Sequence, residues 1–123
     1  MHYNSFICLL QGENMHYMKV QTKYYNLLKD GVKTIELRLY DEKRQQIQVG
    51  DAIQFSDLSN PDDTFVTRVT ALHRATDFTS LCALIHPQQA GFNSPEDLVN
   101  TMQQFYSSEK QQQYGVVGIE IHN

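Results

Sequence analysis

At 123 residues the chain has the length of one compact domain, enough to bury an apolar core without disulfide or metal support. Apolar residues make up 41% and charged residues 20%, a balance that excludes a disordered or membrane-spanning chain. The formal net charge of −4 argues against a protein that coats nucleic acid by bulk electrostatics and leaves any such role to a local basic patch.

Residues 1–14 show no clear periodicity and end in Gly12-Glu13-Asn14, after which Met15-His16-Tyr17 repeats the opening Met1-His2-Tyr3. Residues 1–15 read as an N-terminal extension, with an extra strand or arm packed on the domain as the alternative, and residues 16–123 as the domain itself. The apolar run 6–10 is five residues long and follows no basic region, which is too short for a signal peptide or a membrane span. The expected location is therefore the cytoplasm. Cys8 and Cys82 fit neither a disulfide framework nor a metal-ligand spacing, and both read as reduced thiols.

Residues 16–20 read as a strand, followed by Thr22 as an N-cap and by Tyr24, Leu27 and Leu28 at helical i, i+3, i+4 spacing. Gly31 closes that helix at C′. Residues 33–40 then alternate, with Ile35, Leu37 and Leu39 apolar and Thr34, Glu36, Arg38 and Tyr40 polar or amphipathic, the pattern of a half-buried strand. Residues 41–49 are polar and hold a short helical turn. Gly50-Asp51 turns the chain into a strand over 52–55, and residues 56–63 are rich in turn formers and read as a loop.

A long strand is expected over 65–73, with Phe65, Val69 and Ala71 on one face and Val66 and Leu72 on the other, as for a barrel strand covered on both sides. Asp77 caps a short helix that runs to residue 85. Ser94-Pro95-Glu96-Asp97 is a helix start with cap, N1 proline and first-turn acids in order, and Leu98, Met102, Phe105 and Tyr106 continue it as a core-facing stripe. Residues 114–121 form the last strand, on which Val117, Ile119 and Ile121 share a face. Strands at both ends suit a barrel closed by pairing of the first and last elements. The class is thus α+β, a mixed barrel of five or six strands with helices over 23–31 and 94–106 packed outside.

Phosphate-binding glycine loops, dinucleotide fingerprints, HExxH and nucleophile-elbow motifs do not occur in the sequence. His2, His16, His73, His86 and His122 are scattered and read as surface or capping residues, so no metal and no cofactor is expected. From residue 19 to residue 44, seven cations face four anions, a local excess of +3 that favours a small, specific ligand over a long non-specific footprint.

Within that stretch Glu36 and Arg38 leave the strand on one face, opposite Ile35, Leu37 and Leu39, and Lys33 stands where the strand begins. A carboxylate flanked by two cations can accept from a base amino group while the cations hold a phosphate or carbonyl oxygen. On this reading replacing Lys33 or Arg38 weakens binding and leaves stability nearly unchanged, because exposed charges contribute little to folding; the alternative is a structural Glu36–Arg38 ion pair on a solvated face, worth little energetically. Tyr17, Tyr40 and Tyr114 are candidates to line the same cleft and stack on a base, whereas Tyr24 and Tyr25 read as helix packing.

The succession of a helix ending in Gly31, Lys33-x-x-Glu36-x-Arg38 on a strand, Gly50-Asp51 before a strand ending in Phe55, and Tyr114-Gly115-Val116-x-Gly118-Ile119 at the end resembles the ASCH family of the PUA-like superfamily, over roughly residues 16–121. The resemblance implies a PUA-like β-barrel and an RNA- or nucleotide-binding module, with Lys33, Glu36, Arg38, Tyr40, Arg44 and Tyr114 as its contact residues and RNA or a nucleotide as its partner. Some members are amidohydrolases that remove an acetyl group from modified cytidine, with a Lys at the position of Lys33, a Thr three residues later and a Glu after the central strands. This chain has Glu36 in place of that Thr and Gly91 near the position of the Glu, with Glu96 and Asp97 a few residues on. Other members are linked to RNA cleavage, for which Lys33 and Glu36 are the acid and base candidates if the chain is an enzyme.

Overall fold

The computed structural model describes residues 14–123. The extension expected over residues 1–15 lies, up to residue 13, outside the described residues, as does Cys8. Asn14 accepts the Ala52 N–H (3.1 Å), and Met15 opens the first strand. Five strands form among the described residues, β1 (Met15–Val20), β2 (Ile35–Leu39), β3 (Ala52–Asp57), β4 (Asn60–Ala75) and β5 (Val116–His122). Helices α1 (Thr22–Lys29), α2 (Phe78–Leu81), α3 (Pro95–Phe105) and α4 (Ser108–Tyr114) connect them, with 3₁₀ turns at Arg44–Gln46 and Pro87–Ala90. No helix among the described residues is long and apolar enough to cross a membrane.

The strands order as β1-β3-β4-β5-β2 in one strongly curled mixed sheet, a half-barrel of the PUA-like type. Only β1 and β3 run parallel; the other three pairings are antiparallel. The expected closure through first and last strands does not occur. The last strand is internal, between β4 and β2, and the two edges are β1 and β2, which leaves a seam between them.

Alternation along the strands sorts the apolar residues into two cores. Met18, Val20, Ile53, Phe55, Val69, Val117 and Ile119 pack together on the inner face with Tyr25 and Leu28 of α1. On the outer face Ile35, Leu37, Leu39 and Val116 meet Phe78 and Leu81 of α2 and Leu98 and Met102 of α3. Strand β2 is therefore covered on both sides, not half-buried: its burial includes Glu36 as well as its three apolar residues. The caps read at Asp77 and Ser94 are present, accepting from the Ser80 and Asp97 backbone N–H groups.

Several expectations are corrected by hydrogen bonding that sequence periodicity does not register. Residues 56–63 are not a loop. Strands β3 and β4 run on to a tight turn at Leu58-Ser59, which Asp57 closes by accepting from Ser59 N–H (3.0 Å) and from the Thr22 hydroxyl (2.6 Å). Thr22 is spent on that contact, so the N-cap of α1 is Gln21, without a side-chain bond.

In β4 a bulge between Val69 and Ala71 switches the alternation, so Leu72 and not Ala71 joins Val69 on the inner face. Val66 remains 49% exposed, and the strand is not covered on both sides there. Tyr114 ends α4 instead of starting β5, and the polar run 108–114 forms a helix with Ser107 as its cap.

Between α4 and β5 the chain turns at Gly115, whose φ of 73° and ψ of −177° fall in a region open essentially to glycine. Its N–H donates to the Gln111 carbonyl (2.7 Å) and its own carbonyl accepts the Tyr40 N–H (3.0 Å), pinning the end of β2. A Cβ here would lie 3.1 Å from the Ala75 carbonyl oxygen. Gly115→Ala is therefore expected to destabilise the domain by about 1–3 kcal/mol, read as a lower midpoint in urea unfolding at unchanged slope.

Candidate functional site

Two turns place the polar residues of β2 at the seam. After α1 the chain reverses at Gly31 (φ 78°), with the Val32 and Lys33 N–H groups both donating to the Leu27 carbonyl at 3.0 Å. The Thr34 N–H then donates to Gln89 (2.8 Å), tying the start of β2 to the Pro87–Ala90 turn. Because Ile35, Leu37 and Leu39 are committed to the outer core, Glu36 and Arg38 must point to the inner face. They reach it at the open edge.

Glu36 sits between two cations. Its Oε2 accepts from Arg38 Nε at 2.8 Å and its Oε1 lies 3.4 Å from Lys33 Nζ. Lys33 also donates to the Ala90 carbonyl at 2.8 Å and stands 5.4 Å over the Tyr24 ring. Arg38 extends Nη2 to the Lys19 carbonyl (3.0 Å), so a single side chain spans from β2 to β1 across the seam. The Lys33 stem packs beside Gly91, where a Cβ would lie 3.4 Å from its Cδ.

Burial decides the character of this triad. Lys33 is 2% and Glu36 6% exposed, so these are not the solvated charges the sequence suggested. Burial lowers the pKa of the Lys33 ammonium, and Glu36 only partly restores it. For Glu36, burial acts upward but Lys33 and Arg38 outweigh it, and the carboxyl is held below its ordinary range. For the Arg38 guanidinium burial is the largest influence and acts downward, but Glu36, Tyr106 and Asp41 together outweigh it for a net rise. The group is a carboxylate locked between two cations, with a net positive charge.

The triad forms the polar floor of a cleft of about 240 Å³. Its walls are apolar and aromatic: Tyr24 from α1, Phe92, Met102 and Phe105 of α3, and Tyr106. Tyr24 meets Phe92 at 6.1 Å between ring centroids, and Phe105 meets Tyr106 at 6.4 Å. Phe105 is 49% exposed at the rim.

Of the residues singled out from the sequence, Lys33, Glu36 and Arg38 come together here. Tyr40 and Tyr114 line a different hollow, Arg44 is paired with Asp41 (3.4 Å), and Tyr17 is 60% exposed, opposite Gln54 in the β1–β3 register and outside the cleft.

The sequence reading missed the aromatic wall. Tyr24 read as helix packing, Phe92 belongs to no periodic segment, and Phe105 and Tyr106 looked like the continuation of a core stripe. Helical spacing alone could not separate them: Tyr106 does pack against the outer core, stacking on Phe78 at 6.0 Å between ring centroids, while Phe105 stays half exposed. Glu96 and Asp97 lie on the exposed first turn of α3. Among the described residues no three His, Cys, Asp or Glu side chains cluster as a metal site. His16 pairs with Asp51 and His73 with Glu120, each at 2.8 Å.

A family model described as the ASCH domain matches residues 18–123. Among solved structures, the hypothetical protein PH0355 is 35% identical with a TM-score of 0.78, the match covering 89% of this chain and 98% of that one. Protein PF0455 from Pyrococcus furiosus is 34% identical with a TM-score of 0.69, over 89% and 96% of the two chains. ASCH from Zymomonas mobilis shares the fold at 10% identity and a TM-score of 0.63, over 89% of this chain and 67% of its own. Comparison with the curated proteins finds no match.

The buried triad makes Glu36 a stability determinant. Glu36→Gln should cost about 3 kcal/mol at neutral pH, because it leaves two buried cations without their anion. A carboxyl held below its usual 4.5 contributes stability that is complete above that pH and lost as pH falls through the depressed value. Urea unfolding of both proteins as a function of pH should therefore show the gap widest at neutrality and closing in acid.

Proposed function

Because the chain belongs to the ASCH-domain family, we propose that it is a nucleotide- or RNA-binding module whose ligand enters the cleft between β1 and β2. The observation that carries this reading is a fully partnered, net-positive polar floor set in aromatic walls. Aromatic faces stack on bases of any sequence, and a few fixed polar groups at the bottom of an apolar cleft provide selection. The cleft volume of about 240 Å³ suits one base-sized group better than a folded partner.

Roles divide by exposure. Arg38, partly exposed at the seam, and Lys19, exposed on β1, are the cations within reach of a phosphate. Lys33 is committed to the Ala90 carbonyl and to Glu36, so it positions the carboxylate and sets its charge without facing solvent. Glu36 offers its remaining acceptor capacity to a base amino group.

The same partnering favours binding over turnover. Both Glu36 oxygens face cations, Lys33 is held on two sides, and Glu36 is the one carboxylate among the described residues that line the cleft. Incubation with N4-acetylcytidine is expected to leave it intact, as followed by chromatographic detection of cytidine; efficient release would establish an amidohydrolase.

Phe105→Ala separates binding from folding. The ring is half exposed, so unfolding should be nearly unchanged, while affinity for the preferred nucleotide or short single-stranded RNA should fall by about 1–3 kcal/mol. Arg38→Ala should weaken binding and reduce the salt slope by roughly 0.7 per lost phosphate contact. Titrations of wild type that show no salt-dependent affinity for any nucleotide or RNA would reject the reading.

A further inference from the structure

A second hollow, of about 400 Å³, lies where β2 ends and α4 turns into β5, lined by Tyr40, Arg74, Thr76, Gln113 and Tyr114. Its Tyr40 and Arg74 fall on the same sheet face as Arg38 of the cleft. Tyr40 follows Arg38 by two residues, and Arg38 and Arg74 register on Val117 from its two neighbouring strands. The Arg74 guanidinium stacks on the Tyr40 ring, 4.0 Å from its centroid, and Lys110 Nζ stands 5.7 Å from the centroid of Tyr114. Such a stack leaves the outer guanidinium face and its N–H groups available.

The local electrostatics favour an anion. Arg74 makes no ion pair among the described residues; of the nearby acids, Asp41 is paired with Arg44 (3.4 Å), and Asp77 is turned to the start of α2, where it accepts from the Ser80 N–H (2.8 Å). Tyr114 supplies an aromatic surface, and the Gln113 amide can donate or accept.

We propose that this hollow is a second nucleotide subsite, so that the chain takes a single-stranded oligonucleotide and not a free nucleoside: Arg74, propped on Tyr40, holds the phosphate that follows the base in the cleft, and the next base stacks against Tyr114. This rests on the reading of the cleft as a nucleotide site.

The test compares the four ribonucleoside 5′-monophosphates with the matching homotrinucleotides by calorimetry, on wild type, Arg74→Ala and Arg74→Lys, each checked for unchanged thermal unfolding. The best trinucleotide should bind wild type about tenfold or more tighter than its monophosphate. Arg74→Ala should abolish that gain and leave monophosphate affinity unchanged. Arg74→Lys should keep the charge-dependent part and lose the rest, since an ammonium cannot form the planar stack.

If a monophosphate binds but the trinucleotide binds no tighter, the subsite is refuted and the cleft reading stands. Equal loss of both affinities in Arg74→Ala also refutes the subsite. If no probe binds at all, both fall.

Discussion

Everything at the seam turns on one carboxylate. Glu36 is buried on an edge strand, and its charge is sustained only because Lys33 and Arg38 flank it. Each cation in turn fastens a different part of the chain. Lys33 holds the Ala90 carbonyl and so the turn that leads towards α3, and Arg38 holds the Lys19 carbonyl and so the far edge of the sheet. The half-barrel lacks β-pairing between β1 and β2, and this small ionic network takes the place of a ladder there.

Such a network is a poor way to gain stability alone. Replacing a buried ion group by apolar residues of similar volume is often neutral or favourable, because the attraction barely offsets desolvation. The surrounding residues offered that solution, since Leu37, Phe92 and Met102 already line the same space. In the proposed reading, two cations and an anion under an aromatic wall give a ligand fixed donors and acceptors in a dry setting, where they act strongly and require no reorganisation.

Much of this was legible in the sequence, and the limits follow physical lines. Alternation at Ile35, Leu37 and Leu39 placed Glu36 and Arg38 on one face because a strand leaves a residue no other choice. Asp77 and Ser94 announced helix starts because capping is local. Features that depend on partners distant in sequence stayed hidden. The Leu58-Ser59 turn relies on Asp57, which also accepts from Thr22, and the bulge before Ala71 shifts every later residue of β4 to the opposite face. The burial of Lys33 depends on Ala90, 57 residues away. Tyrosines were chosen for chemistry and not for position, so Tyr40 and Tyr114 were grouped with a cleft that Tyr24 and Tyr106 line instead.

The pairing of β2 with β5 has a consequence in time. Strand β2 meets its one partner among the described residues through contacts such as Ile35 with Glu120, well over half the chain apart, and β1 finds β3 in parallel only after α1 and β2 have been passed over. Contacts of such long sequence separation are slow to form, because loop-closure entropy must be overcome before they bring any return. On the ribosome, β2 therefore emerges long before the strand that completes it, carrying an apolar face and a charged face with no partner for either. The seam needs β5 in place before β2 can line it. A closed seam is thus a report that the C-terminal strand has docked, since the Arg38 bridge to Lys19 needs both edge strands in place.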